Sequence, residues 1–71
     1  MNKHKGAFFV NTVQLECFLA VAQYLNFSKA AESVSITQPA VSHQIGSLED
    51  ELGVKLFVRT SKSVSLTREG I

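Results

Sequence analysis

Residues Thr37 to Gly53 read Thr-Gln-Pro-Ala-Val-Ser-His-Gln-Ile-Gly-Ser-Leu-Glu-Asp-Glu-Leu-Gly, and this stretch describes one helix with both ends marked. Thr37 is an N-cap type whose hydroxyl accepts from the free amides of the first turn, and Pro39 stands where a missing N–H costs little. Gly53 is the residue type of a left-handed C-terminal cap. Val41, Ile45, Leu48 and Leu52 recur at i, i+4, i+7 and i+11, the spacing of a buried stripe. The opposite face carries Pro39, Ser42, His43, Gly46 and Asp50, with Gln38 at its edge. That face is polar, short in reach and low in charge over its first two turns. Such a helix is built to lie close against a flat, polar partner.

Upstream, Ser35-Ile36 is a tight connection, with Ile36 expected to plug the corner. Asn26-Phe27-Ser28 breaks the preceding pattern, and Ser28 is expected to cap a short helix running to about Val34. Ala30 and Ala31 are small enough for close helix approach, and Val34 is expected to face the core. Two helices joined by so short a turn, the second longer and polar outside, make a helix-turn-helix arrangement. Such turns often carry glycine; here Ser35 takes the place.

An earlier helix is expected to start at Asn11. Asn11 and Gln14 have capping-box spacing, and Val10 with Leu15 that of a hydrophobic staple. Leu15, Phe18, Leu19, Ala22 and Leu25 form one apolar face, and Cys17, Val21 and Tyr24 a second on roughly the other side. The second face calls for a covering: Phe8 and Phe9, further chain, or another subunit. Residues 1–10 are expected to be a flexible arm.

Downstream, Val54 to Val58 reads as a strand, with Val54, Leu56 and Val58 alternating against Lys55 and Phe57. Val64-Ser65-Leu66 is a second, and the polar loop Arg59 to Ser63 joins them into a hairpin. Thr67 is placed to cap one more helix.

Seventy-one residues make one small domain near the lower limit for a self-supporting core, and 45% hydrophobic content argues against disorder. A single cysteine excludes an intrachain disulfide and a thiolate metal cluster. The apolar stretch near residues 15–25 contains Glu16 and Gln23, which argues against a membrane span and favours a cytoplasmic protein. Net charge is only +1, so any basic surface must come from placement. Glu49, Asp50 and Glu51 crowd the far end of the long helix. Lys29 precedes it, and Lys55, Arg59, Lys62 and Arg68 follow it. On charge alone, a solvated surface is an equal reading.

The run Phe27-Ser-Lys-Ala-Ala-Glu-Ser-Val-Ser-Ile-Thr-Gln-Pro-Ala-Val-Ser-His-Gln-Ile, followed by Leu48-Glu-Asp-Glu-Leu-Gly-Val-Lys-Leu-Phe-Val-Arg and Val64-Ser-Leu-Thr-Arg-Glu-Gly, closely resembles the DNA-binding domain of LysR-type transcriptional regulators. The resemblance spans about residues 11–71 without gaps. It implies a mainly α, winged helix-turn-helix fold: three helices, a two-stranded β-hairpin wing and the start of a linker helix. Residues 11–66 would be the DNA-binding domain, 37–52 its recognition helix, 59–63 its wing, and 67–71 the opening of the linker. Full-length members of the family continue through that dimerising helix into a domain that senses a small molecule. The resemblance therefore implies a homodimer or tetramer on promoter DNA, an effector bound outside this segment, and no cofactor within it. The Cys17, Val21 and Tyr24 face is the expected seat of the linker helix.

A recognition helix enters the major groove N-terminus first. The Thr37 and Gln38 amides then suit phosphate, and the Gln38 side chain alternatively suits an adenine edge. Pro39 and Ala40 offer apolar surface for a thymine methyl, and Ser42 and His43 can donate to bases or phosphates. Many relatives carry arginine where His43 stands and a long basic residue near Gly46, so guanine readout by a guanidinium fork is absent here. Arg59 matches the family arginine that reaches toward the minor groove; its alternative is a surface salt bridge with a helix acid. Ser61, Lys62 and Ser63 in the wing, and Ser28 and Lys29 ahead of the long helix, suit phosphate contacts. The acids at 49 to 51 are expected to point away from the groove. Phe18, Phe27 and Phe57 are expected in the core. With His4 and His43 isolated and no nucleophile–base pair, an enzyme finds little support, and no metal site is expected. The competing reading is a winged-helix module that binds a protein partner through its polar face.

Overall fold

The computed structural model describes residues 10–61 and 63–70, so the expectations for residues 1–9, Lys62 and Ile71 lie outside the described residues. Three helices, α1 (Thr12–Tyr24), α2 (Phe27–Val34) and α3 (Gln38–Leu52), precede the strands β1 (Phe57–Arg59) and β2 (Val64–Leu66). The strands pair antiparallel, with Phe57 opposite Leu66 and Arg59 opposite Val64. Helix-turn-helix followed by a hairpin is the winged architecture that the sequence predicts.

Helix α1 begins as its sequence prescribes. The Asn11 side chain accepts from the Gln14 amide at 2.7 Å, and the Gln14 carboxamide accepts from the Asn11 amide at 3.0 Å. Gln14 is buried, and its Nε2 also donates to Ser47 Oγ at 3.0 Å, tying α1 to α3.

The two apolar faces of α1 divide differently from the expectation: Phe18 and Ala22 of the first still pack against the core, and Tyr24 of the second is exposed. Cys17 and Val21 are fully buried, whereas Leu15 and Leu19 are 47% and 56% exposed. The reason is close packing. Cys17, Ala20 and Val21 share one core with the small Ala30 and Ala31 of α2, whose lack of bulk favours a close approach that leucine side chains would hold apart. Cys17 therefore forms no seat for a linker helix. Burial, with a smaller push from the Glu16 carboxylate, raises its thiol pKa above the ordinary value. Above about pH 8.5 the unfolded chain sheds this proton while the folded chain keeps it. This contribution to stability is accordingly constant below that pH and is lost as pH rises through the folded value. Iodoacetamide labelling of Cys17 at pH 8 is expected to be slow and to accelerate with urea in step with unfolding. Labelling at the rate of a free thiol in the folded chain would contradict the burial.

Helix α2 starts two residues earlier than expected. Its N-cap is Asn26, whose side chain accepts from the Lys29 amide at 2.8 Å; Ser28 is exposed at the second helical position. Capping at Asn26 puts Phe27 inside the helix and its ring in the core, 7% exposed. The helix closes with a Schellman pair: the Ile36 amide donates to Ala31 O at 3.1 Å and the Ser35 amide to Glu32 O at 3.2 Å. Ile36 thus closes the corner through its backbone, while its side chain is 37% exposed rather than plugging it. Ser35 has φ 61°, the left-handed region that a Cβ disfavours. Ser35→Gly is expected to stabilise the domain by about 0.5–1 kcal/mol in urea denaturation, because the fold imposes this φ whichever residue is present.

Helix α3 has the predicted ends. Thr37 Oγ1 accepts from the Ala40 amide at 3.3 Å, and Gly53 caps the C-terminus at φ 76°. Val41, Ile45 and Leu48 are buried and Leu52 is half-buried.

The first strand departs from the expected alternation. Leu56 and Phe57 are adjacent and both buried, and Val58 is 50% exposed. Period-two geometry starts only where pairing starts, at Phe57. Leu56 lies before the ladder, where the chain still leans on the helices. Glu49 sets that lean. It is buried, and its Oε2 accepts from the amides of Leu56 at 2.8 Å and Phe57 at 3.3 Å. The solvated-surface reading, equally weighted on charge alone, does not hold for Glu49, which is buried. Beyond β2, Thr67 Oγ1 accepts from the Gly70 amide at 3.3 Å, capping a 3₁₀ turn at Arg68–Gly70.

Candidate nucleic-acid interface

Three of the predicted site residues converge. The Gln38 carboxamide donates to Ser42 Oγ at 3.2 Å from the preceding turn of α3, and Arg59 Nη1 donates to the same oxygen at 3.2 Å from the hairpin. The Arg59 guanidinium carbon lies 4.1 Å from the centroid of the Phe27 ring. Arg59 thus bridges α2, α3 and the wing. Its alternative, an ion pair with an acid of α3, is not the contact it makes. With Ser42 Oγ accepting from two donors, the hydroxyl proton is free to be donated outward.

Phe27 was expected as core alone, and its second duty is the feature sequence reasoning missed. Its ring meets Phe57 edge-on at 6.3 Å, and Phe57 meets Phe18 at 5.6 Å. The Phe27 ring thus meets the core aromatics and the arginine at once. No local sequence signal marks this, because Phe27 and Arg59 are brought together only by the hairpin.

Pro39 and His43 are exposed on α3, and Ala40 is half-buried beside them. Ser28, Arg59, Ser61 and Ser63 line a polar cleft of about 250 Å³ between the start of α2 and the hairpin loop. That loop is held by mutual Thr60–Ser63 bonds, the Thr60 amide to Ser63 O at 2.8 Å and the Ser63 amide to Thr60 Oγ1 at 3.0 Å. Lys29 stands apart, in a shallow cleft with Tyr24, Glu32 and Ser33. Lys62 is outside the described residues. Among the described residues, no three His, Cys, Asp or Glu side chains are grouped to hold a metal ion, and no helix is long and apolar enough to cross a membrane.

Comparison with known proteins agrees with this geometry. Residues 12–71 match the family described as bacterial regulatory helix-turn-helix protein, lysR family. The chain is 57% identical over 56 residues to the glycine cleavage system transcriptional activator of Escherichia coli K12, covering 79% of this chain and 18% of that protein. It superposes on Vibrio fischeri DarR, solved in complex with DNA, with a TM-score of 0.82 and 47% identity, over 87% of this chain and 21% of that one. A LysR-family regulator from Eggerthella lenta gives a TM-score of 0.79 and 43% identity, over 84% and 86% of the two chains. The chain spans about a fifth of the length of the curated relatives it matches. From capped α3 to paired wing, and across nearly its whole described length, this chain belongs to the lysR family of bacterial regulatory helix-turn-helix proteins.

Proposed function

We propose that the chain binds double-stranded promoter DNA sequence-specifically, as the DNA-binding domain of a cytoplasmic transcriptional regulator and not as an enzyme. Residues 11–66 are the binding domain and 67–71 open the linker helix. The N-terminus of α3 enters the major groove, presenting Thr37, Gln38, Pro39, Ala40, Ser42 and His43. The wing lies by the minor groove with Arg59, Ser61 and Lys62, while Ser28 and Lys29 meet the backbone from α2. The whole regulator acts as a homodimer or tetramer whose effector binds outside this segment.

The observation that carries this reading is the convergence of half-buried Gln38 and Ser42 with exposed Arg59, in a fold whose relative DarR was solved on DNA. Phosphate contacts fix the register, and the short side chains of α3 let its backbone approach base edges. The test is selection from a random duplex pool, with affinity then followed against salt. A half-site is expected to be enriched, and log affinity against log salt is expected to fall with a slope of roughly −3 to −4 for about four phosphate contacts. Binding that is flat in salt, or no duplex binding at low salt, would reject the reading.

A further inference from the structure

We propose that Phe27 is a positioning residue for DNA recognition: its ring face and the Ser42 hydroxyl together fix the Arg59 guanidinium before DNA arrives. The inference deepens the DNA-binding reading and rests on it. Arginine carries large rotamer freedom, and freezing a free arginine at an interface consumes binding energy. Here the guanidinium is already held on two sides, 4.1 Å from the Phe27 centroid and 3.2 Å from Ser42 Oγ. The ring cannot turn away, because its edge packs against Phe57 and Phe27 is only 7% exposed. The plate that orients the arginine is therefore part of the core and as rigid as the core.

The hold is also directional. The guanidinium carbon lies over the ring and Nη1 is engaged by Ser42. The remaining N–H groups of this exposed side chain are the donors left for an acceptor-rich strand. Ser42, used as an acceptor by Gln38 and Arg59, retains its proton as a donor toward the same strand. Loss of the ring would leave Arg59 its charge but not its aim.

Two measurements test this. In the free protein, NMR of the Arg59 side chain is expected to show upfield ring-current shifts at its δ-methylene protons, lost in Phe27→Leu and kept in Phe27→Tyr. On the selected duplex, Phe27→Leu is expected to weaken binding by about threefold to tenfold, the cost of ordering one arginine side chain. Phe27→Tyr should stay within about twofold. In an Arg59→Ala background, Phe27→Leu should add no further loss. Equal losses in both backgrounds would mean that Phe27 supports only the fold, and would overturn the proposal. If Phe27→Leu does not fold, Phe27→Met, which fills the space without a ring, takes its place with the same expected pattern. Absence of the upfield shifts overturns the clamp whatever the binding data show. Shifts present with no duplex binding by the wild type would instead overturn the DNA-binding reading and, with it, the proposed role of the clamp.

Discussion

Replacing Glu49 with alanine is expected to lower the stability of the domain by about 2–4 kcal/mol, a fall in Tm on the order of 10–20 °C. The size follows from what the carboxylate holds. It accepts two backbone amides, Leu56 at 2.8 Å and Phe57 at 3.3 Å, where the chain passes from helix to strand. Bonds to a charged acceptor contribute about 1.5–3 kcal/mol each at good geometry, and the longer one contributes less. Alanine would leave both amides unpaired beside Leu56 and Phe57, which are themselves core residues. The ion pair with Lys55 at 3.7 Å adds little, because the lysine side chain is 79% exposed and screened. Lys55→Ala should therefore cost less than about 0.5 kcal/mol. Thermal melts and urea titrations of the two variants separate the hydrogen bonds from the charge pair. Equal, small effects would mean that the carboxylate does not anchor the strand.

That anchor was legible in part. Glu49 lies at i+4 from Ile45 and i+8 from Val41, on the same stripe that identified the buried face of α3. The apolar members of the stripe alone do not reveal it, and on charge alone a run of three acids reads equally well as solvated surface. Periodicity distinguishes Glu49 from exposed Asp50 once the stripe is extended through polar residues.

The other differences share a cause. Helix ends set by local chemistry, Asn11 with Gln14, Thr37 and Gly53, could be read from the residues beside them. At α2 two good capping types, Asn26 and Ser28, stand two positions apart. The choice falls to Phe27, which reaches the core only if the helix has already begun. In α1 both faces are apolar, and periodicity cannot rank them. What decides is that Ala30 and Ala31 lie opposite, accept a close neighbour, and select Cys17, Ala20 and Val21 over the longer leucines. The site behaved likewise. Gln38 and Ser42 are one helical turn apart and readable from spacing, whereas the stacking of Arg59 on Phe27 joins residues that only the folded hairpin brings together.

Arg59→Ala is expected to weaken binding to the selected duplex by roughly tenfold to a hundredfold, with a smaller loss on unrelated duplexes. On the proposed reading, the variant loses a charge that meets the DNA and a guanidinium held by Phe27 and Ser42 in the free protein. The first loss applies to every sequence. It should flatten the salt slope by about one. The second is expected to be specific to the proposed groove contact, and greatest where a narrow A·T-rich minor groove concentrates negative potential. Arg59→Lys separates the two. It keeps the charge and should keep the salt slope, but an ammonium stacks and forks poorly, so preference for flanking A·T should fall. The fold should survive both changes, since Arg59 is exposed and its stacking at such a site contributes about 0.5–1 kcal/mol. Anisotropy titrations at several salt concentrations, on A·T-flanked and G·C-flanked duplexes, give affinity, slope and preference together. Unchanged affinity and slope in Arg59→Ala would place the wing off the DNA. A changed slope with unchanged preference would leave Arg59 as a phosphate contact and assign the flanking sequence to some other residue.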